Sequence, residues 1–246
     1  MDRLLYTSMT GMNRTLDAQA RNTQNISNAS TVGFKAALSD AGARPLDGDG
    51  LASRVSVVSR APRPDFTAGP MMTTGNSLDI AVQGEGWILV QDRNGEPALT
   101  RRGDLRTDSN GLLRTGNGLP VLGDAGPIAI PPYRDVTIGS DGTLSVVPLG
   151  QGPQAQAVLD RIVLVLPEND ALERGPDGLF RMADGSVPPS DAGVQLVSGA
   201  LEASNVNMAG ALVEMVSLSR EFEMQTRMLR VADENSEISA RLLRFN

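Results

Sequence analysis

The chain has 246 residues and carries 22 Lys+Arg against 29 Asp+Glu, a formal charge of −7. That balance argues against nonspecific nucleic-acid binding, which neutralises phosphates with basic side chains. Histidine and cysteine are absent, which excludes His-based triads, thiolate chemistry, disulfides, Cys/His zinc sites and His-ligated haem.

The first residues, Met1-Asp2-Arg3-Leu4-Leu5-Tyr6, lack an apolar core of signal-peptide length, so the ordinary secretory route is not expected. All 15 prolines lie between Pro45 and Pro189. Proline is excluded from helix interiors, so this distribution predicts helix, non-helical middle, helix. In 1–35, Leu5, Met9, Met12, Leu16 and Ile26 share one three-four register, the spacing of an apolar helix stripe. Asn22, Asn25 and Asn28 follow, and Asn favours caps over helix interiors. The helix is expected to end near Asn28. Thr31-Val32-Gly33-Phe34-Lys35 is the exit turn, with Gly33 free to take positive φ.

Residues 36–77 are rich in Gly, Pro, Asp and Ser and are expected to form an extended connector, with one strand-like stretch at Val55-Ser56-Val57-Val58. Residues 78–200 are expected to be all β. Asn94-Gly95, Asn110-Gly111, Asn117-Gly118, Asp141-Gly142, Asp177-Gly178 and Asp184-Gly185 are hairpin-turn dipeptides. Short apolar runs such as Trp87-Ile88-Leu89-Val90 lie between them.

Residues 201–246 are expected to hold one long helix. Met208, Ala211, Met215, Leu218, Phe222, Gln225, Leu229, Ala232, Ser236, Ser239 and Leu243 fall on a three-four repeat, the pattern of a coiled-coil seam. A second stripe, through Met224, Met228, Val231, Ile238, Leu242 and Phe245, widens the apolar face by about 100°. A helix over 205–244 would be about 60 Å long, whereas a compact body of this length has a radius of gyration of about 18 Å. Both stripes cannot bury on one β domain, so packing against other molecules is expected. The predicted fold is a mainly β central domain plus long N- and C-terminal α-helices that pair in a coiled-coil-like helical domain. No run is long and apolar enough to span a membrane.

Motifs for chemistry mostly fail. Asp47-Gly48-Asp49-Gly50 begins like a calcium loop, but position 12 is Val58 where a bidentate Glu is needed. Gly84-Glu85-Gly86 lacks the third glycine of a dinucleotide fingerprint, since Leu89 stands there. Paired carboxylates for glycoside hydrolysis have no specificity among so many acids. Arg101, Arg102, Arg106 and Arg114 are expected on a solvated sheet face. No cofactor, metal or catalytic residue is predicted.

Several blocks resemble bacterial flagellar rod and hook proteins. They are Asn22 to Lys35 with its Thr-Val-Gly-Phe-Lys exit, Ser77 to Trp87, Leu99 to Leu105, Gly111-Leu112-Leu113, Val121-Leu122-Gly123 and Gly199 to Val206. They occur in family order and span nearly the whole chain. The opening residues and the length are most similar to the proximal-rod branch, with distal-rod and hook subunits as alternatives. The resemblance implies a structural subunit, not an enzyme. It would leave the cell through the flagellar type III export apparatus and join other rod subunits in a helical tube crossing the periplasm, with its terminal helices inside. The expected subunit-interface positions are Leu5, Met9, Met12, Leu16, Asn22, Asn25, Ile26, Met215, Leu218, Phe222, Leu229 and Leu243. A secreted β-domain binding module and a periplasmic glycosidase are the competing classes.

Overall fold

A computed structural model describes residues 2–38, 41–45, 55–59, 63–152 and 154–243. The calcium-like stretch Asp47 to Gly50 lies outside the described residues. The chain divides into two compact units. One comprises Met1–Ala29, Ala36–Asp65 and Val206–Asn246, the other Ser30–Lys35 and Phe66–Asn205.

The first unit contains both α-helices found among the described residues, α1 (Asp2–Ser27) and α2 (Met208–Leu243). It also holds two antiparallel strand pairs, Ala37–Leu38 with Arg63–Pro64 and Ala41–Pro45 with Val55–Ser59. The two helices pack antiparallel. Gln225 meets Gly11 and Thr15 at one end of the contact, and Asn22 meets Ala211 at the other.

The second unit is β throughout, apart from one short 3₁₀ turn at Asn169–Ala171. Its largest sheet has five strands. Trp87–Gln91 pairs with Pro97–Thr100 on one side and Leu164–Val165 on the other, and the sheet ends with Phe180–Met182 and Leu172–Arg174. Side chains alternate across a strand. Ile88 and Val90 enter the main core with Ile80, Leu113, Val121 and Leu144, while Trp87 and Leu89 enter a second core with Leu99, Val165 and Phe180. Both faces are covered, which is why this strand reads as an unbroken apolar run.

The six Asn-Gly and Asp-Gly dipeptides share one turn. In each, the glycine N–H donates to the carbonyl three residues back, as from Gly95 to Asp92 and from Gly111 to Asp108. Each glycine has positive φ, and among the described residues no non-glycine does. A type I′ hairpin would need positive φ at both central residues. These are type I turns closed by a left-handed glycine.

The expected fold class needs correction. The protein is mainly β, with only two α-helices among the described residues, and coiled-coil pairing is only partly seen. The helices differ in length, 26 against 36 residues. Their contact runs through the small or polar Gly11, Thr15, Asn22, Ala211 and Gln225. Of the expected seam, the large apolar side chains Met9, Leu16 and Met215 are exposed while Met12, Leu218, Phe222 and Leu229 are half-buried, so a seam of large apolar side chains is only partly formed. Two strand pairs share the unit with the helices.

Candidate functional site

The expected interface positions separate into groups. Met9, Leu16 and Met215 are exposed, at 53%, 45% and 40%. Met12, Ile26, Leu218, Phe222 and Leu229 are half-buried. Leu5 and Leu243 lie within α1 and α2, but their side chains fall outside the described residues. Asn22 is buried and donates from Nδ2 to the Ala211 carbonyl at 2.7 Å. Asn25 bonds both backbone groups of Ala37. Both asparagines thus make bonds within their own chain.

Spacing explains this division. Two helices in contact share one face of each. On α1 that face carries Gly11, Thr15 and Asn22, spaced four and seven residues apart and so on one side of the helix. The row through Met9 and Leu16 lies beside it. On α2 the row through Ala211, Leu218, Phe222, Gln225 and Ala232 is buried or half-buried, whereas Met224, Met228, Val231 and Ile238 are exposed. Phe245, at the end of that second row, lies outside the described residues. Leu212, Val213 and Val216 are exposed as well; they fall off the three-four repeat, so periodicity could not single them out. α2 is about 54 Å long, and large exposed apolar patches mark interaction sites.

A second arrangement lies wholly in the β unit. The Lys35 ammonium donates to Glu202 Oε1 at 2.7 Å and to the Thr67 carbonyl at 2.8 Å. Glu202 Oε1 also accepts the Gly69 N–H, and Glu202 Oε2 accepts Arg101 Nη1 at 3.1 Å. Arg101 further donates to the carbonyls of Val82 and Gly84, and its guanidinium lies 5.4 Å from the centre of the Trp87 ring. All three charged side chains are at most 4% exposed. Burial holds the Arg101 guanidinium below its ordinary value, opposed by the charge and hydrogen bond of Glu202. Arg174, also pushed down by burial, covers the Phe34 ring at 4.3 Å and donates to the Lys35 carbonyl. Phe66, Trp87 and Phe180 pack edge-on or tilted alongside. Three of the five phenylalanines and the single tryptophan therefore gather here.

Arg101 thus does not lie on a solvated face, since it is the counter-ion of a buried carboxylate. Arg102 and Arg114 pair instead with Asp104 and Asp108. A signal for Arg101 and Glu202 is hard to find in sequence, because their partnership spans 101 positions. Lys35 offers one clue, as the sole lysine of the chain.

Two carboxylates meet in an open groove of about 560 Å³ lined by Leu89, Asp92, Asp177, Phe180 and Arg181. Asp92 is held below its ordinary value by the Glu96 N–H and by Arg181, and Asp177 chiefly by Arg181. Arg181 bridges the two at 2.7 Å each. A general acid needs a raised pKa, and neither carboxylate has one. Among the described residues no acidic cluster is placed to hold a metal ion, and no helix is long and apolar enough to cross a membrane.

Residues 81–146 match the flagellar hook protein FlgE/F/G D1 domain, and residues 197–242 match the flagellar basal body rod FlgEFG protein C-terminal family. The flagellar basal-body rod protein FlgF of Salmonella typhimurium is 38% identical over 249 residues, covering 99% of both chains. FlgF of Escherichia coli K12 matches to the same extent. The flagellar basal-body rod protein FlgG of Bacillus subtilis is 28% identical over 257 residues, covering 95% of this chain and 96% of its own.

Proposed function

The chain belongs to the flagellar basal-body rod family, and we propose that the exposed apolar rows of α1 and α2 are the surfaces through which it joins neighbouring subunits. It is a structural subunit of the basal-body rod and works in motility. The 38% identity to FlgF of Salmonella typhimurium and Escherichia coli, against 28% to FlgG of Bacillus subtilis, favours a place in the proximal rod over the distal rod or hook. No catalytic role is assigned to it. Its route out of the cell is the flagellar export apparatus, and its neighbours form a helical tube.

One observation carries the interface. The row through Met224, Met228, Val231 and Ile238 leaves four large apolar side chains at least half exposed. Full burial of an exposed side chain of this size gains about 1.5–3 kcal/mol, of which roughly half remains to be gained at each of these positions. Repeated heterologous contacts whose rotation does not close build helical assemblies, and a row along a helix of this length supplies such a contact.

The test is a charge on that row. Met228→Asp and Val231→Asp are introduced into the chromosomal copy of the gene, and basal bodies are isolated. Loss of the subunit from basal bodies, with an unchanged fold of the purified protein, is the expected result. Normal incorporation of both variants overturns this surface as the interface.

A further inference from the structure

The chain passes between its two units four times, at 29/30, 35/36, 65/66 and 205/206. On the β side, every segment that begins or ends there is tied to one residue, Glu202, or to its immediate partners. Segment 30–35 is held twice, by Lys35 on the Glu202 carboxylate and by the Gly33 N–H on the Glu202 carbonyl at 2.8 Å. The segment that starts at Phe66 is held by the Gly69 N–H on Glu202 Oε1 and by the Thr67 carbonyl on Lys35. Glu202 itself lies in the segment that leaves at Asn205. Asn205 donates from Nδ2 to the carbonyl and hydroxyl oxygens of Thr67, and its N–H bonds the Phe34 carbonyl. Arg101 then fastens Glu202 to the strand Ile80–Gln83, through the Val82 carbonyl, and to Gly84 just after it.

We infer that the Lys35–Glu202–Arg101 cluster is a mechanical clamp, which ties all four crossings to one buried point of the β unit so that load on the helical unit reaches the β unit through every strand of chain at once. Glu202 is its positioning residue. Four crossings on independent loops would share load unequally and stretch one after another under shear. Crossings tied to one residue and its immediate partners yield together, because removing one partner of a buried ion pair leaves an uncompensated charge, which is strongly destabilising. The Glu202 side chain is 2% exposed, so water is kept from its carboxylate. The inference rests on the rod function and adds a site to it.

The test uses the full-length protein in its native rod. Glu202→Gln keeps the shape of the side chain and removes its charge. Asn205→Ala is a milder second variant that leaves the buried ions in place and releases one crossing. In purified protein, amides of 31–35, 67–69 and 203–205 are expected to exchange about tenfold faster, with the remaining sheet unchanged. In cells, basal bodies are counted by electron microscopy, and rotation of a tethered bead is followed while the viscosity of the medium is raised. Normal basal-body numbers with rotation lost at high but not at low viscosity support the clamp, with Glu202→Gln the more severe. Load curves matching wild type for both variants overturn it. A fall in basal-body number for Asn205→Ala also overturns it, because the cluster would then serve assembly and not load. Should Glu202→Gln fail to fold, Asn205→Ala decides alone. Failure of the unaltered chain to restore rods in a deletion strain would refute the rod function itself, separately from the clamp.

Discussion

Asn25 closes a two-bond ring with Ala37: its Nδ2 donates to the Ala37 carbonyl and its Oδ1 accepts the Ala37 N–H, both at 2.9 Å. The side-chain amide thus does for Ala37 what a neighbouring strand would do, and ties the last turn of α1 to the strand that follows it. Asn25→Ala leaves both backbone groups without this partner. The helical unit is expected to lose about 1–3 kcal/mol, read as a lower urea midpoint by circular dichroism. Asn25→Asp keeps the acceptor but cannot donate, and is expected to fall between the two.

Gly33 has φ of 68° and lies so close to Arg101 that a Cβ would sit 2.4 Å from the Arg101 carbonyl carbon. Gly33→Ala meets strain and overlap together, each worth about 1–3 kcal/mol. Trp87 is the single tryptophan and is buried beside Arg101, so its fluorescence reports unfolding of the β unit directly. A denaturant midpoint lowered by at least about 2 kcal/mol in equivalent stability is expected.

The two rows of α2 are expected to respond differently to charge. Phe222 is half-buried in the row that faces α1, and Met228 is 53% exposed. Phe222→Asp is expected to destabilise the helical unit, measured by circular dichroism. Met228→Asp is expected to stay within about 0.5 kcal/mol of wild type, as surface substitutions do. The Trp87 transition should be unmoved in both.

Acid sensitivity follows from Asp92 and Asp177. Both carboxyls are lowered from an ordinary value of 3.8. A depressed folded value means the unfolded chain takes up protons first as pH falls, so the contribution to stability is complete above 3.8 and is lost as pH drops through the lower folded values. The β unit is expected to hold a constant denaturant midpoint from about pH 5 to 7 and to weaken below about pH 4. Arg181→Met removes the shared cation and is expected to make that fall shallower, measured as Trp87 midpoints across pH.

Much of this was legible in the residues. The proline-free ends mark both helices, and α1 ends at Ser27, one residue before Asn28. The Asn-Gly and Asp-Gly dipeptides mark turns because a left-handed residue is a local demand that glycine meets alone. The direction of the helix faces was less legible. Periodicity finds apolar rows, but it cannot say which row meets a partner in the same chain. Here the inner contact uses Gly11, Thr15 and Asn22, none of which carries an apolar side chain that a hydrophobic repeat would count. The coiled-coil expectation failed on that point. Glu202 and Arg101 were hidden for another reason. A buried charge looks like any surface charge until its distant counter-ion is known.

The place of Glu202 in the chain has a consequence for the order in which the protein takes shape. Strands Met71–Thr73 and Ile80–Gln83 pair with Ala200–Glu202 and Gln195–Ser198, the last segments of the β unit before α2. A chain made from its N-terminus presents both early strands long before their partners exist. Lys35 and Arg101 wait equally for Glu202, and an unpaired charge resists burial. The β unit therefore contains its own completeness check. It closes only when nearly the whole polypeptide is present, and a truncated copy lacking residues past 194 would offer the growing rod no finished body.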